Sequence, residues 1–184
     1  GSTGDGYRLA ASLGHTIVPT RQSLVPLESP DDWCAELQGF SLKNVSLSAY
    51  EDDSLVYRAL GEMLFTHFGV SGPLVLSASA NMRDFGHKKY RLSIDLKPGL
   101  DEKRLDARLL RDFDKYSNRE FRNALSDLAG QAMIPVLVRL SKIPGDTRVN
   151  AITRAQRMSL LSLLKDFPVS VSGPRPIAEA VITA

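Results

Sequence analysis

At 184 residues, with 43% apolar and 24% charged side chains, the chain is the size of one domain and can bury a sizeable core, which excludes a disordered segment. Its 23 basic and 21 acidic side chains leave a formal net charge of +2, too balanced to indicate a strongly basic or acidic partner. Cys34 is the only cysteine, which excludes an internal disulfide and is natural in a reducing, cytoplasmic compartment.

In chain order, Leu9, Ala10 and Leu13 followed by Gly14 predict a short helix from Asp5 to Leu13 with glycine just past its end. His15 to Val18 reads as a strand, and Pro19, Pro26 and Pro30 divide the next stretch into short extended pieces. Leu42, Val45 and Leu47, then Leu55, Tyr57 and Ala59, predict two strands joined across Glu51, Asp52 and Asp53 as a hairpin. Gly61 and Glu62 are expected to break the second strand, so that residues 42–68 hold three consecutive antiparallel strands. Pro73 fits the first turn of a helix toward Ala80. The apolar run from Phe68 to Ala80 is interrupted by Gly69, Gly72 and Pro73 and is too short to cross about 30 Å of hydrocarbon, so no membrane partner is expected.

Tyr90, Leu92, Ile94 and Leu96 alternate with polar residues as in a strand with one dry face, ended by Pro98 and Gly99. From Asp101 the period changes. Leu105, Leu109 and Phe113, then Phe121, Leu125 and Leu128, predict amphipathic helices. Ala132 to Leu140 reads as a buried helix with Pro135 in its first turn or at a kink, and Thr153 with Gln156 makes a capping box ahead of Leu160, Leu161 and Leu164. Phe167 to Val171 and Ile177 to Ile182 return to strand alternation. The expected fold is α+β: a β-rich antiparallel body, residues 21–98 and 166–184, with a small helical subdomain, 99–165, inserted between its strands. The chain opens on a glycine-rich turn without a leader and stops on a strand-like run, so no secretory signal is expected and both ends are expected to continue into further polypeptide.

Residues 81–122 hold 12 basic and 8 acidic side chains, against 4 and 9 in residues 1–72. Because Asp101, Glu102, Asp106, Asp112 and Asp114 alternate with the bases, the stretch reads as a solvated, ion-paired helix face and no nucleic-acid partner is expected. His15, His67 and His87 lack ligand spacing and Cys34 stands alone, so no metal site is expected. Two glycine-bearing segments rise above this background. Gly1-Ser2-Thr3-Gly4-Asp5-Gly6-Tyr7 runs into the first helix, where backbone N–H groups can meet a phosphate or simply form a capped turn; Gly1-Ser2 also reads as a tag remnant. Leu64 to Pro73 puts His67, Gly69, Ser71 and Gly72 between a strand and a helix, where the histidine serves a ligand or satisfies a loop hydrogen bond.

These two segments, with Gly14 to Pro19, Ser23 to Leu27, Leu37-Gln38-Gly39, Ile94 to Pro98 and Gly173 to Pro176 followed by Glu179-Ala180, closely resemble the BaiN/RdsA-like (YhiN-type) family of NAD(P)/FAD-dependent flavoprotein oxidoreductases. The resemblance implies a split FAD-binding domain with an insert between its halves, the insert having a β-barrel-like body and a helical part. This chain would be that insert, with residues 1–20 a margin of the FAD-binding domain and the missing halves its partners in the same polypeptide. FAD would be the cofactor of the longer protein, with NAD(P)H as co-substrate and a small molecule of unknown identity as substrate. The isolated chain is expected to be inactive and to hold no cofactor, because the phosphate-binding turn and closing segment lie outside it. Carried over position by position, Ser2, Thr3, Gly4, Asp5 and Gly6 match the stretch near the cofactor junction, His67 is the candidate catalytic residue, and Gly69, Ser71 and Gly72 match the substrate side of the cleft. Gln22-Ser23 departs from the proline many relatives carry before the serine. The alternative is a free-standing interaction module, binding a protein or nucleic acid without catalysis.

Overall fold

The computed structural model describes residues 3–183. Antiparallel ladders dominate it. Two long strands, β3 (Ser41–Glu51) and β4 (Ser54–Thr66), form the central hairpin, turning at Asp52 and Asp53. Three short strands, β1 (Gln22–Ser23), β2 (Leu27–Glu28) and β5 (Gly69–Ser71), flank the hairpin in sequence; β6 (Tyr90–Asp95), β7 (Phe167–Val171), β8 (Gly173–Pro174) and β9 (Ile182–Thr183) come after them. Seven of them make one antiparallel sheet in the order β7-β6-β3-β4-β5-β2-β8, and β1 pairs with β9 apart from it.

The sheet corrects the expectation of a barrel-like body. Its order has two ends, β7 and β8, and no ladder joins them, so it is not closed into a barrel. Ser172 alone links those two end strands along the chain, with its N–H donating to the Glu28 carbonyl at 2.9 Å. Short apolar strands at regular spacing suit an open sheet and a closed one equally, because alternation reports which face is dry and not whether the edges meet.

Seven helices complete the described fold. α1 (Asp5–Ser12) ends as expected: Gly14 takes φ 85°, and His15 N–H and Gly14 N–H bond the Ala10 and Ala11 carbonyls at 3.1 and 3.0 Å. His15 to Val18 forms no strand, since no ladder partner lies beside it. α2 (Asp32–Glu36) stands where short extended pieces were expected, burying Cys34 after the break at Pro30. α3 (Pro73–Ser79) begins on its proline. Gly61 does not break β4: it pairs with Val45 beside a register shift, and the Leu74 side chain of α3 lies 3.2 Å from where its Cβ would stand. The third strand of this region is β5, beyond the turn.

Four helices separate β6 from β7: α4 (Glu102–Lys115), α5 (Phe121–Ala124), α6 (Met133–Ser141) and α7 (Arg154–Lys165). Pro135 sits in the first turn of α6 without breaking it. Asp101 caps α4, and the Thr153–Gln156 box caps α7 with both reciprocal bonds made. One core runs through sheet and helices, with Phe65 and Phe167 stacked edge to face at 6.4 Å and Leu105, Leu109, Leu160 and Leu164 fully buried. Ile177 to Ile182 divides into a 3₁₀ turn, Ile177–Glu179, and β9.

Candidate functional site

Leu64 to Pro73 folds as the end of β4, a two-residue turn at His67 and Phe68, β5, and the start of α3. Its two glycines are dictated by close approach. At Gly69, φ is 151° and a Cβ would stand 2.4 Å from the Leu27 carbonyl oxygen; at Gly72, φ is 95° and a Cβ would stand 3.0 Å from Met63 Cα. Both positions let neighbouring backbones pack, which is a sufficient physical reason for glycine. Ser71 is half-buried and pairs with Leu64 in the β4–β5 ladder.

His67 is exposed on the turn, its ring 5.0 Å from that of Phe68 and nearly perpendicular to it. The Arg175 guanidinium lies 4.5 Å from the Phe68 ring centroid and bonds Glu28 at 2.9 Å and Glu179 at 2.7 and 3.1 Å. That double carboxylate contact holds Glu179 below its usual range and raises Arg175. Next to His67 in sequence, the Thr66 hydroxyl is buried without a hydrogen-bond partner. The sequence assigns no role to Glu28, Arg175 or Glu179, although Arg175 and Glu179 lie four residues apart in one motif; Glu28 is 147 residues from Arg175 and carries no local signal of the contact.

The opening segment lies apart from this cluster in its bonding. Ser2 lies outside the described residues. Thr3 donates to the Asp5 carboxylate at 2.7 Å, Gly4 takes the left-handed conformation that begins α1, and Asp5 pairs with Arg8. No residue of α1 is buried. A carboxylate in the first turn of α1 opposes a pyrophosphate at that helix end, so Thr3, Gly4, Asp5 and Gly6 do not fit a flavin phosphate cradle by themselves.

A cavity of about 630 Å³ opens between Val18 to Ser23 and the segment from Ser79 to Phe85. Arg21, Met82 and Phe85 line it, and Ser79 beneath it accepts from the Val25 N–H at 2.9 Å and donates to the Leu76 carbonyl. None of His67, Gly69, Ser71 and Gly72 lines this cavity. A second, polar cleft of about 540 Å³ is lined by Asn118, Arg119, Glu120, Asn123 and Arg148 in the helical part. Among the described residues no group of three or more His, Cys, Asp or Glu side chains is placed to hold a metal ion. Burial pushes the Cys34 thiol up to about 11, far from the thiolate that nucleophilic chemistry needs. No helix of the described residues is long and apolar enough to cross a membrane.

Comparison with known proteins adds relatives to this geometry. The chain is 28% identical over its whole length to the ribosomal RNA dihydrouridine synthase of Escherichia coli, of which it covers 43%. It is 24% identical over its whole length to the 3-dehydro-bile acid delta(4,6)-reductase of Clostridium scindens, covering 45% of that protein. Over 100 residues, 53% of the chain, it is 35% identical to the ribosomal RNA dihydrouridine synthase of Haemophilus influenzae, covering 23% of it. The chain thus spans less than half the length of these relatives. Residues 21–182 match the family described as HI0933-like protein barrel and H2TH domain, the seven-stranded sheet and α2 to α7 falling within that match, and the chain belongs to this family.

Proposed function

We propose that this chain is the substrate-side insert of a longer FAD-dependent oxidoreductase that uses NAD(P)H as co-substrate, and that it is inactive alone. One observation carries the reading. β1 and β9 pair antiparallel, so the segment that leads into Gln22 and the one that leads up to Thr183 lie at one place in the fold. Eight of the twelve exposed large hydrophobic side chains among the described residues lie on or beside those segments: Tyr7, Leu9, Leu13, Ile17 and Val18 at one end, Ile177, Val181 and Ile182 at the other. Scattered exposed apolar groups need no explanation, but their concentration where the chain enters and leaves suits a face covered by the rest of a polypeptide. Residues 1–20 would belong to that neighbouring unit, 21–98 and 166–184 to the sheet body, and 99–165 to the helical part. The flavin would be held by the two halves beyond the insert, since the opening segment does not fit it alone.

His67 is the candidate group facing the substrate, exposed on its turn, with Gly69, Ser71 and Gly72 shaping the turn that presents it. For the substrate we follow the ribosomal RNA named in two of the relatives. This departs from the expectation of a small molecule and no nucleic acid.

The test is made on the longer protein. Its visible spectrum should carry the flavin band, and hydrogen exchange at Tyr7 to Val18 should slow on going from the 184-residue chain to the whole protein. A colourless full-length protein, or unchanged exchange in that segment, overturns the reading. In the same protein His67→Gln should lower kcat/KM by about 10²-fold or more if the imidazole moves a proton, and less if it only positions substrate, with thermal stability unchanged.

A further inference from the structure

The helical part sorts its charges in a way its sequence conceals. Along α4, Arg104, Arg108, Arg111 and Lys115 succeed one another at steps of four, three and four residues, which puts them on one flank of the helix. At 1.5 Å per residue the row is about 16 Å long. Leu105, Leu109 and Asp112 turn inward, and Asp106 on the opposite flank pairs with Arg157 of α7 at 2.7 Å, so the row lies away from α7 and faces solvent.

The row continues past the end of α4. Lys115 Nζ and the Arg119 guanidinium both stand over the Tyr116 ring, 4.6 and 4.7 Å from its centroid. Arg119 in turn lines the polar cleft with Asn118, Asn123 and Arg148, whose guanidinium donates to the Asn118 carbonyl. Carboxylates meet only part of the row: Asp101 pairs with Arg104, Asp112 with Arg108, and Asp127 with Lys115. Arg111, Arg119 and Arg148 are exposed and enter no ion pair among the described residues. Carboxylates therefore neutralise Arg104, Arg108 and Lys115 but leave Arg111, Arg119 and Arg148 uncompensated, because Glu102 and Asp114 lie off the flank and Asp106 is engaged by Arg157.

We propose that the row Arg104, Arg108, Arg111, Lys115 and Arg119, with Arg148 at its end, is the surface on which a single-stranded segment of RNA lays its phosphates. A linear array of cations about 5–6 Å apart suits a strand that repeats one negative charge per nucleotide, and an acidic protein surface has no such repeat. The cleft where the row ends is also lined by Glu120, which Arg122 pairs and to which the Asn123 amide donates at 3.4 Å, and it offers the Asn118 amide to a base edge. This proposal rests on the reading of the chain as the substrate side of an enzyme acting on RNA, and assigns that RNA a track.

Anisotropy of a fluorescein-labelled, mixed-sequence single-stranded RNA of about 20 nucleotides, titrated with the 184-residue chain, tests it. About three neutralised phosphates, one for each unpaired guanidinium, predict a log–log salt slope of roughly −2. Arg111→Glu combined with Arg119→Glu should weaken binding about tenfold or more near ~100 mM salt and flatten that slope. Lys103→Glu combined with Arg154→Glu makes the same change in net charge away from the row and should alter binding by less than about threefold. Circular dichroism identifies either variant if it has unfolded, and the single Arg111→Gln variant, which touches no partner, then serves in its place. Equal weakening by both double variants overturns the track in favour of diffuse charge. Absence of binding overturns it, as does polyglutamate of equal charge binding as tightly as the RNA, which would assign the surface to an acidic protein. Binding that tracks the row in a chain whose full-length form carries no flavin would uphold the track while removing the oxidoreductase reading.

Discussion

Between Glu102 and Lys165 the chain carries 13 basic and 7 acidic side chains, a net of +6, whereas the remainder carries 10 and 14, a net of −4. The same division separates how the two regions are held. In the sheet body, the long β3–β4 hairpin and its neighbours satisfy the backbone in ladders, and Leu47, Ala49, Met63 and Phe65 of the hairpin share one buried core with Leu74, Val75 and Ala78 of α3. The helices between β6 and β7 run only 4 to 14 residues, too short to be stable by helix propensity, and tie themselves down with caps and ion pairs. Arg157 of α7 joins Asp106 of α4, Arg139 of α6 joins Glu36 of α2, and Lys165 of α7 joins Asp95 of β6. A region that needs arginines to hold itself together also has arginines to spare. The body has ion pairs of its own, Arg175 with Glu28 and Glu179 among them, but the helical part also carries Arg111, Arg119 and Arg148 outside any ion pair among the described residues.

Four substitutions sharpen or break this contrast. The largest effect belongs to the body: Phe65→Ala removes a fully buried ring and its edge contact with Phe167, and should cost about 3–5 kcal/mol in urea denaturation. A loss below about 1 kcal/mol would mean that the hairpin is not the centre of the core. In the helical part, Arg157→Ala should cost about 1–3 kcal/mol, because both partners are largely shielded from water, with Arg157 15% and Asp106 30% exposed. Its double-mutant cycle with Asp106→Asn should show coupling that falls as salt is raised, whereas Phe65→Ala should be indifferent to salt.

Thr153→Ala removes the oxygen that accepts the Gln156 N–H at 3.2 Å and should cost about 1 kcal/mol by thermal unfolding. An unchanged melting temperature would show that α7 is held by packing alone. The smallest effect is acid-dependent. Lys115, then Tyr116, hydrogen-bond the Asp127 carboxylate and hold it below its ordinary value of 3.8. A carboxyl depressed by folding stabilises the native state above its unfolded value and loses that contribution as pH falls through the folded one. The melting temperatures of wild type and Asp127→Asn should therefore converge as pH drops below 3.8; a constant gap would mean that the ion pair contributes nothing.

Much of the fold was legible because local chemistry decided it. Gly14 closes α1, Pro73 opens α3, Asp101 and Thr153 cap their helices, and the change from period two to period four after Pro98 marks where strand gives way to helix. Where a partner elsewhere in the chain decides the outcome, the reading failed. Gly61 looks like a strand breaker until Leu74 is seen packed over it, and His15 to Val18 has strand character but no strand to pair with.

The candidate site divides the same way. His67, Gly69 and Gly72 were visible as a glycine-bearing turn, but the Arg175 contact with Glu28 joins residues 147 apart in sequence. By itself, the sequence determined the order and type of most elements, because caps, turns and hydrophobic period act within a few residues. Only the tertiary structure decided that the sheet ends in two unpaired edges, that the entering and leaving segments share a ladder, and which bases remain unneutralised along α4. Each of these depends on which side chains and strand edges meet across the fold, and ladder closure and ion pairing are properties of distance in space that spacing along the chain does not encode.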